Sequence, residues 1–179
     1  MIPVVQRISA SGGDSTLPGD CVKCCVASIF DLPYEAVPHF VAREVKGADG
    51  EPLNWDLGLN HWLRESGYPL YFKDWRNRKT GTEVRAERER LGLKPGESMP
   101  ANLMYRASEH PDECDGYWIA SVISENFENS THAIVMLDRR VAFDPSPHPR
   151  RTPYAFIGWG IFVATDPVLC RARADRTAQ

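Results

Sequence analysis

The sequence predicts one α+β domain, with helices in the N-terminal part of the chain and an antiparallel β-sheet in the C-terminal part. Apolar residues recur at helical spacing before residue 67, whereas β-branched and aromatic runs follow residue 116. A run of helices followed by a run of strands is typical of α+β folds. The 179 residues suffice for one domain with its own hydrophobic core. We expect that domain over residues 1–170 and a polar tail over 171–179.

The first helix is predicted directly after a polar loop. Residues 7–20 contain three Gly residues and Pro18, which interrupt regular structure. The loop ends at Asp20, a residue type favoured at a helix N-cap. The helix is predicted over residues 21–30. Its apolar stripe at helical spacing consists of Val22, Val26 and Ile29.

The next elements are short and separated by charged segments. A brief helix is predicted over residues 34–37, and a longer one over 54–66 with Gly67 as its C-cap. Residues 68–72 are predicted to form a short strand. The charge-rich stretch 73–98 indicates a partly exposed helix, and its sequence gives the weakest structural signal in the chain.

The C-terminal part is predicted to form the sheet. Its strand candidates are rich in aromatic and β-branched residues, and residues 138–140 are predicted to join two of them as a tight hairpin. The predicted strands are 117–124, 132–137, 141–144 and 156–163.

Composition narrows the classes of partner. The chain has 21 basic and 24 acidic residues and a formal net charge of -3, which gives no electrostatic basis for binding nucleic acid or an anionic membrane. No apolar run reaches the length of a membrane span. We expect no secretory signal, because residues 1–6 lack a basic segment followed by an apolar stretch. We expect a cytoplasmic protein without a cofactor that acts on a protein or peptide, and the sequence leaves the oligomeric state open.

The cysteines favour reduced thiols over a disulfide framework. Their number is odd and three of them lie within five positions, whereas disulfide scaffolds usually have an even, spaced set. The five are Cys21, Cys24, Cys25, Cys114 and Cys170.

Cys21 is the candidate nucleophile. A thiol attacks a carbonyl as the thiolate, and the unpaired amides at the start of a helix favour a negatively charged sulfur. Cys21 is the first residue of the predicted helix, whereas Cys24 and Cys25 lie one turn deeper, where packing into the core is the simpler interpretation.

His132 and Asp144 are candidates for the base and for the acid that orients it. His132 begins a predicted strand and Asp144 ends its hairpin partner, directly before Pro145. Because side chains alternate along a strand, the two share a face only if the hairpin has a three-residue loop or an equivalent bulge. A two-residue loop at residues 139–140 would place them on opposite faces.

Three stretches of the sequence resemble the papain-like cysteine peptidase superfamily. These are GDCVKCCVAS at 19–28, THAIVML at 131–137 and VAFDP at 141–145. They are most similar to bacteriocin-leader peptidases, in which an Asp-Cys pair opens the first helix and a His opens a strand. LPYEAVPHF at 32–40 also resembles a motif in phage and bacterial papain-like proteins of unassigned role.

The resemblance implies a papain-like fold and a Cys–His–Asp triad of Cys21, His132 and Asp144 in a thiol protease or related hydrolase. It also implies that Gln6 helps to stabilise the oxyanion. Gln6 lies fifteen residues before Cys21, farther than in the family, so the intervening loop must bulge outwards. Cys24 stands where the family pattern has a small residue.

Several alternatives remain open at the level of sequence. The same triad supports acyl transfer to an amine as well as hydrolysis. A papain-like scaffold can also bind a partner without turnover, and the phage resemblance makes an anti-defence or host-modifying role conceivable. A zinc site could combine the cysteine cluster with His132 or Cys114, although structural zinc sites usually show two paired ligand clusters.

Overall fold

The fold is seen in a computed structural model. It describes residues 1–8, 19–66, 71–73, 79–97, 99, 101–104, 106–107, 116–125, 130–148 and 150–162. Cys114, Cys170, Gly67 and the predicted tail 171–179 lie outside the described residues.

The described chain is a mixed α+β structure, as the sequence predicts. The helices are α1 (Cys21–Phe30), α2 (Trp55–Glu65) and α3 (Gly81–Arg90), and short 3-10 turns cover Tyr34–Ala36 and Ala101–Met104. The strands are β1 (Tyr71–Lys73), β2 (Tyr117–Ile123), β3 (Thr131–Leu137), β4 (Arg140–Phe143) and β5 (Phe156–Phe162). No helix in the described ranges is long and apolar enough to cross a membrane.

The five strands form one sheet in the order β1-β5-β2-β3-β4, and every neighbouring pair is antiparallel. β2 and β3 follow each other along the chain and pair over seven residues. β5 returns from the C-terminal side to pair with β2, so the sheet centre combines local and distant pairings.

α1 is the central element of the first hydrophobic cluster. The predicted stripe of Val22, Val26 and Ile29 is buried, and so are both deeper cysteines and Phe30. The helix packs on the face of the sheet that carries Ile119 from β2 and residues 133 and 135 from β3. Burial extends beyond the predicted stripe because the chain after α1 also packs around the helix.

The other face of the sheet has its own hydrophobic cluster. Because side chains alternate along β2 and β3, the residues between those that face α1 point to the opposite side. Trp118, Ile134 and Met136 are at most 1% exposed there and pack with Phe156 from β5. Burial on both faces explains why these strands contain nearly continuous apolar runs.

α3 belongs to the charge-rich stretch and has no buried residue. Thr80 and Glu83 form a capping box at its start, in which each side chain bonds the other residue's main-chain N–H. Glu83 also pairs with Arg106 at 2.6 Å. α3 is therefore held by caps and ion pairs, without the buried apolar stripe that α1 has.

Candidate active site

Cys21 is the first residue of α1 and is partly exposed. The first main-chain bond of the helix runs from the Cys24 N–H to the Asp20 carbonyl at 3.0 Å. The amides of the residues before Cys24 therefore have no partner within the helix. Cys21 therefore lies at the positive end of the helix dipole, because it is the first residue of α1.

The two deeper cysteines are fully buried. Burial, with the Asp20 carboxylate as the next cause, raises the pKa of the Cys24 thiol to about 12. Burial likewise raises the pKa of Cys25 well above the ordinary value of a thiol. Both sulfurs therefore stay protonated at neutral pH. Because both are also buried, Cys21 is the accessible thiol among the three cysteines of this cluster.

His132 and Asp144 are in direct contact. The Nε2 atom of the imidazole lies 2.6 Å from Oδ1 of the carboxylate. Both side chains are mostly buried, with exposed fractions of 13% and 19%. The residues that the sequence proposes as base and orienting acid are thus brought together, at the point where β3 begins and β4 ends.

The hairpin turn alone would not produce this contact. The turn has two residues, 138 and 139, and Leu137 pairs with Arg140 across it. If the strand register continued unchanged, His132 and Asp144 would lie on opposite faces of the sheet.

A β-bulge in β4 changes the register. Met136 pairs with Val141, whereas Val135, the next residue on β3, pairs with Phe143. Ala142 is the extra residue between these two pairs. The bulge shifts the register of the end of β4 by one residue relative to β3. This shift places His132 and Asp144 on the same face of the sheet. The sequence allows either a three-residue loop or an equivalent bulge to bring the two residues to one face, and the structure has the bulge.

Opposing effects act on the pKa of His132. Burial by itself lowers it, but hydrogen bonding and electrostatic interaction with Asp144 and Cys21 raise it to about 9. The effect of Cys21 on this pKa shows that the nucleophile candidate lies close to the same ring. Because Nε2 is engaged with Asp144, Nδ1 is the ring nitrogen that remains for the sulfur.

Asp144 is held by more than the histidine. Its Oδ1 also accepts the main-chain N–H of Ser146 at 2.9 Å, and its Oδ2 accepts the Tyr154 hydroxyl at 2.9 Å. Burial raises the carboxyl's pKa, but the hydrogen bond and charge of His132 and these two further bonds lower it overall. The aspartate is therefore kept ionised.

Tyr154 is a site residue that the sequence does not predict. It lies shortly before β5, ten positions from Asp144, and no local pattern connects the two. The guanidinium of Arg150 stacks over the tyrosine ring, 4.4 Å from its centroid. Burial and the nearby Asp144 carboxylate raise the pKa of the Tyr154 hydroxyl to about 12, so it remains a donor.

Gln6 lies beside the end of β4. Its main-chain N–H donates to the carbonyl of Pro145 at 2.8 Å, directly after Asp144. Its side-chain Nε2 donates to the carbonyl of Ile8 at 2.8 Å. The same carbonyl accepts the N–H of Asp20 at 3.2 Å, so the glutamine amide lies near the start of α1 despite the long separation in sequence.

The cysteine cluster does not have the arrangement of a metal site. Within the part of the chain that the structure describes, no three His, Cys, Asp or Glu side chains group closely enough to hold a metal ion. Cys114, the other cysteine of the zinc alternative, lies outside the described residues.

Comparison with known proteins leaves the site to be interpreted from its own geometry. No protein-family model, curated protein or solved structure matches the chain. The papain-like resemblance therefore stays a prediction, and the chemistry of the site rests on the contacts among Cys21, His132 and Asp144.

Proposed function

We propose that the protein is a papain-like cysteine hydrolase that cleaves an amide, isopeptide or thioester bond in a protein or peptide. Cys21 is the nucleophile, His132 the general base and acid, and Asp144 the group that orients the imidazole. The observation that carries the proposal is the 2.6 Å contact between His132 Nε2 and Asp144 Oδ1. Cys21 at the start of α1 also raises the pKa of this imidazole.

The arrangement supports acyl transfer in two half-reactions. In the ion pair of the two residues, His132 Nδ1 holds the proton of Cys21. The sulfur attacks the substrate carbonyl carbon, and the imidazolium then protonates the leaving amine or thiol. Water next gives a proton to the imidazole and attacks the thioester, and the released sulfur regains the ion pair with His132. Asp144 keeps the ring oriented and stabilises its positive charge throughout.

Two donors are suited to the negative oxygen that forms on the carbonyl. One is the main-chain N–H of Cys21, which has no partner within the helix. The other is the second N–H of the Gln6 side-chain amide, whose first N–H is used by Ile8. If an amine replaces water in the second half-reaction, the same residues carry out acyl transfer, so product analysis separates hydrolysis from that alternative.

Selective reactivity of Cys21 tests the proposal. We expect iodoacetamide at pH 7 to alkylate Cys21 at least about tenfold faster than the other four cysteines, because the imidazolium stabilises its thiolate. We also expect p-nitrophenyl acetate to leave an acetyl group on Cys21. Peptide mass spectrometry after timed quenching measures both reactions.

Matched variants separate the nucleophile from its neighbours. Cys21→Ala should abolish acetylation, whereas Cys24→Ala, which restores the small residue of the family pattern, should leave it unchanged. Equal alkylation rates for all cysteines, or acetylation that survives Cys21→Ala, would contradict the assignment. Retention of partner binding in Cys21→Ala without any turnover by the native protein would instead favour a binding module.

A further inference from the structure

Two hydrogen bonds close the base of the loop that separates Gln6 from Cys21. The main-chain N–H of Asp20 donates to the Ile8 carbonyl at 3.2 Å, and the main-chain N–H of Arg7 donates to Asp20 Oδ2 at 3.1 Å. The chain on both sides of the loop is thus fastened to the residue before the nucleophile. Because the Gln6 amide donates to the same Ile8 carbonyl, its position depends on this closure.

The Asp20 carboxylate is used in an unusual way. It stands at the N-cap position of α1, but its side chain makes no capping hydrogen bond. The residue is fully buried, Oδ2 accepts two hydrogen bonds, and Oδ1 has no partner among the described residues. Burying a carboxylate with an unsatisfied oxygen costs free energy, so its presence beside Cys21 requires a compensating role.

Tyr34 completes the same arrangement from the 3-10 turn that follows α1. Its hydroxyl donates to Asp20 Oδ2 at 2.7 Å, the oxygen that also holds the Arg7 N–H. The Arg7 guanidinium lies 4.1 Å from the Tyr34 ring centroid, and Lys23 Nζ lies 4.0 Å from it. Arg7 is therefore held through its main chain by Asp20 and through its side chain by Tyr34.

We propose that Asp20 and Tyr34 are positioning residues that place the Gln6 amide beside Cys21 for stabilisation of the oxyanion. The inference rests on the proposed function, because it assigns a role in the acylation of that same site. Neither residue touches the substrate. They act through Arg7 and Ile8, which hold the segment that carries Gln6.

Two reactions of the same sulfur distinguish this role from general stability. Alkylation by iodoacetamide is a displacement at a saturated carbon and forms no oxyanion. Acetylation by p-nitrophenyl acetate passes through a tetrahedral oxyanion and needs the donors. The ratio of the acetylation rate to the alkylation rate at Cys21, measured by mass spectrometry, therefore reports on the oxyanion donors.

Gln6→Ala should lower this ratio at least about tenfold, because one donor is lost. Asp20→Ala and Tyr34→Phe should lower it in the same direction, with the smaller effect for Tyr34→Phe, which removes one hydroxyl. Asp20→Asn should retain most of the ratio, since its amide oxygen still accepts from Arg7 and Tyr34. Glu35→Gln, which weakens only the exposed 2.6 Å ion pair with Arg7, is the matched control and should leave the ratio unchanged.

The possible failures are distinguishable. If the native protein is not acetylated at Cys21, the proposed function and this inference fall together. If Gln6→Ala lowers the ratio but Tyr34→Phe and Asp20→Ala leave it unchanged, the inference is wrong and the function stands. If Asp20→Ala does not fold, Tyr34→Phe alone decides, and equal loss of both reactions in that variant overturns the positioning role.

Discussion

Asp144 raises the pKa of His132 mainly through its hydrogen bond and to a smaller extent through its charge. A buried imidazole ordinarily loses its proton more readily, yet the partners of His132 raise its pKa to about 9. The ring is therefore protonated at neutral pH, when it faces both a carboxylate and the Cys21 sulfur.

Neutralising Asp144 should lower the pKa of His132. For Asp144→Asn we expect a fall of about 1–3 pH units, because the opposite charge is removed while a polar side chain stays in place. Tyr154→Phe should have a smaller effect in the same direction, since it removes one of three hydrogen bonds that hold the carboxylate. NMR titration of the His132 ring protons measures both.

The exposed Asp56 of α2 supplies the control for that titration. Asp56→Asn removes the same charge without touching the site, so the pKa of His132 should stay as in the native protein. A similar shift in Asp56→Asn and Asp144→Asn would show that overall charge is responsible. No shift in Asp144→Asn would contradict the contact as the cause.

The role of a single residue can be predicted from the sequence where a local feature, such as a helix start, distinguishes its side chain from the neighbouring ones. The start of α1 distinguishes Cys21 from Cys24 and Cys25 on sequence alone, because the helix boundary is itself predictable. Tyr154 and the Asp20 carboxylate could not be assigned in that way. Their partners depend on which segments the fold brings together, and the side chains have no characteristic spacing.

At the scale of elements, the bulge in β4 is the feature that sets the site. The strand patterns predict the hairpin. They also indicate that His132 and Asp144 share a face only if the loop has an odd number of residues or the strand contains a bulge. They do not indicate where an extra residue is accommodated, since Ala142 is exposed and its surroundings look like ordinary strand sequence. The turn has two residues where the sequence predicts three, and the bulge compensates by returning Asp144 to the face of His132.

Deleting Ala142 should leave His132 and Asp144 on one face of the sheet. Without the extra residue, the pairs Met136–Val141 and Val135–Phe143 become consecutive, so the ladder is regular and Asp144 keeps its register. We expect the pKa of His132 and the rate of Cys21 alkylation at pH 7 to stay as in the native protein. NMR titration and timed alkylation measure these two properties.

Ala142→Ser keeps both the residue count and the bulge, and it should also behave like the native protein in both measurements. If the deletion variant folds but the pKa of His132 falls as in Asp144→Asn, the pairing of β3 with β4 is not what brings the two residues together. A circular-dichroism spectrum of each variant verifies that the comparison is between folded proteins.

The helices differ in how well sequence predicts them. α1 is predicted with its observed bounds because an apolar stripe and a clear stop coincide. α3 is narrower than the charge-rich stretch assigned to it, and its start carries a Thr80–Glu83 capping box that could have located it. The helix predicted over 34–37 is a 3-10 turn at Tyr34–Ala36, consistent with so short a segment between prolines.

At the scale of the whole molecule, the site depends on distant parts of the chain meeting. α1 comes from the N-terminal part, the hairpin from the C-terminal part, and Gln6 from a segment that crosses between them. The α+β class follows from the order of elements, but the sheet order does not. Nothing local to β5 indicates that it pairs with β2 on one side and β1 on the other.

The same contacts couple the titration of the site to the stability of the fold. His132 has a pKa of about 9 in the folded protein and an ordinary value of 6.5. Because the folded pKa is raised, its contribution is fully present below pH 6.5 and is lost as the pH rises through 9. The pKa of Asp144 is lowered from 3.8, so its contribution is present above that pH and is lost on acidification.

Stability should therefore be greatest between about pH 4 and pH 6.5 and should decline towards pH 9. The His132 shift corresponds to about 3 kcal/mol of unfolding free energy, on the order-of-magnitude scale of 1.36 kcal/mol per pH unit. Urea unfolding at about pH 5.5, 7.5 and 9 measures the decline. His132→Gln removes the titrating group, so its stability should change less over this range, because the proton released on unfolding is no longer bound. Parallel curves for the two proteins would show that other groups cause the decline and that His132 gains no proton affinity from folding.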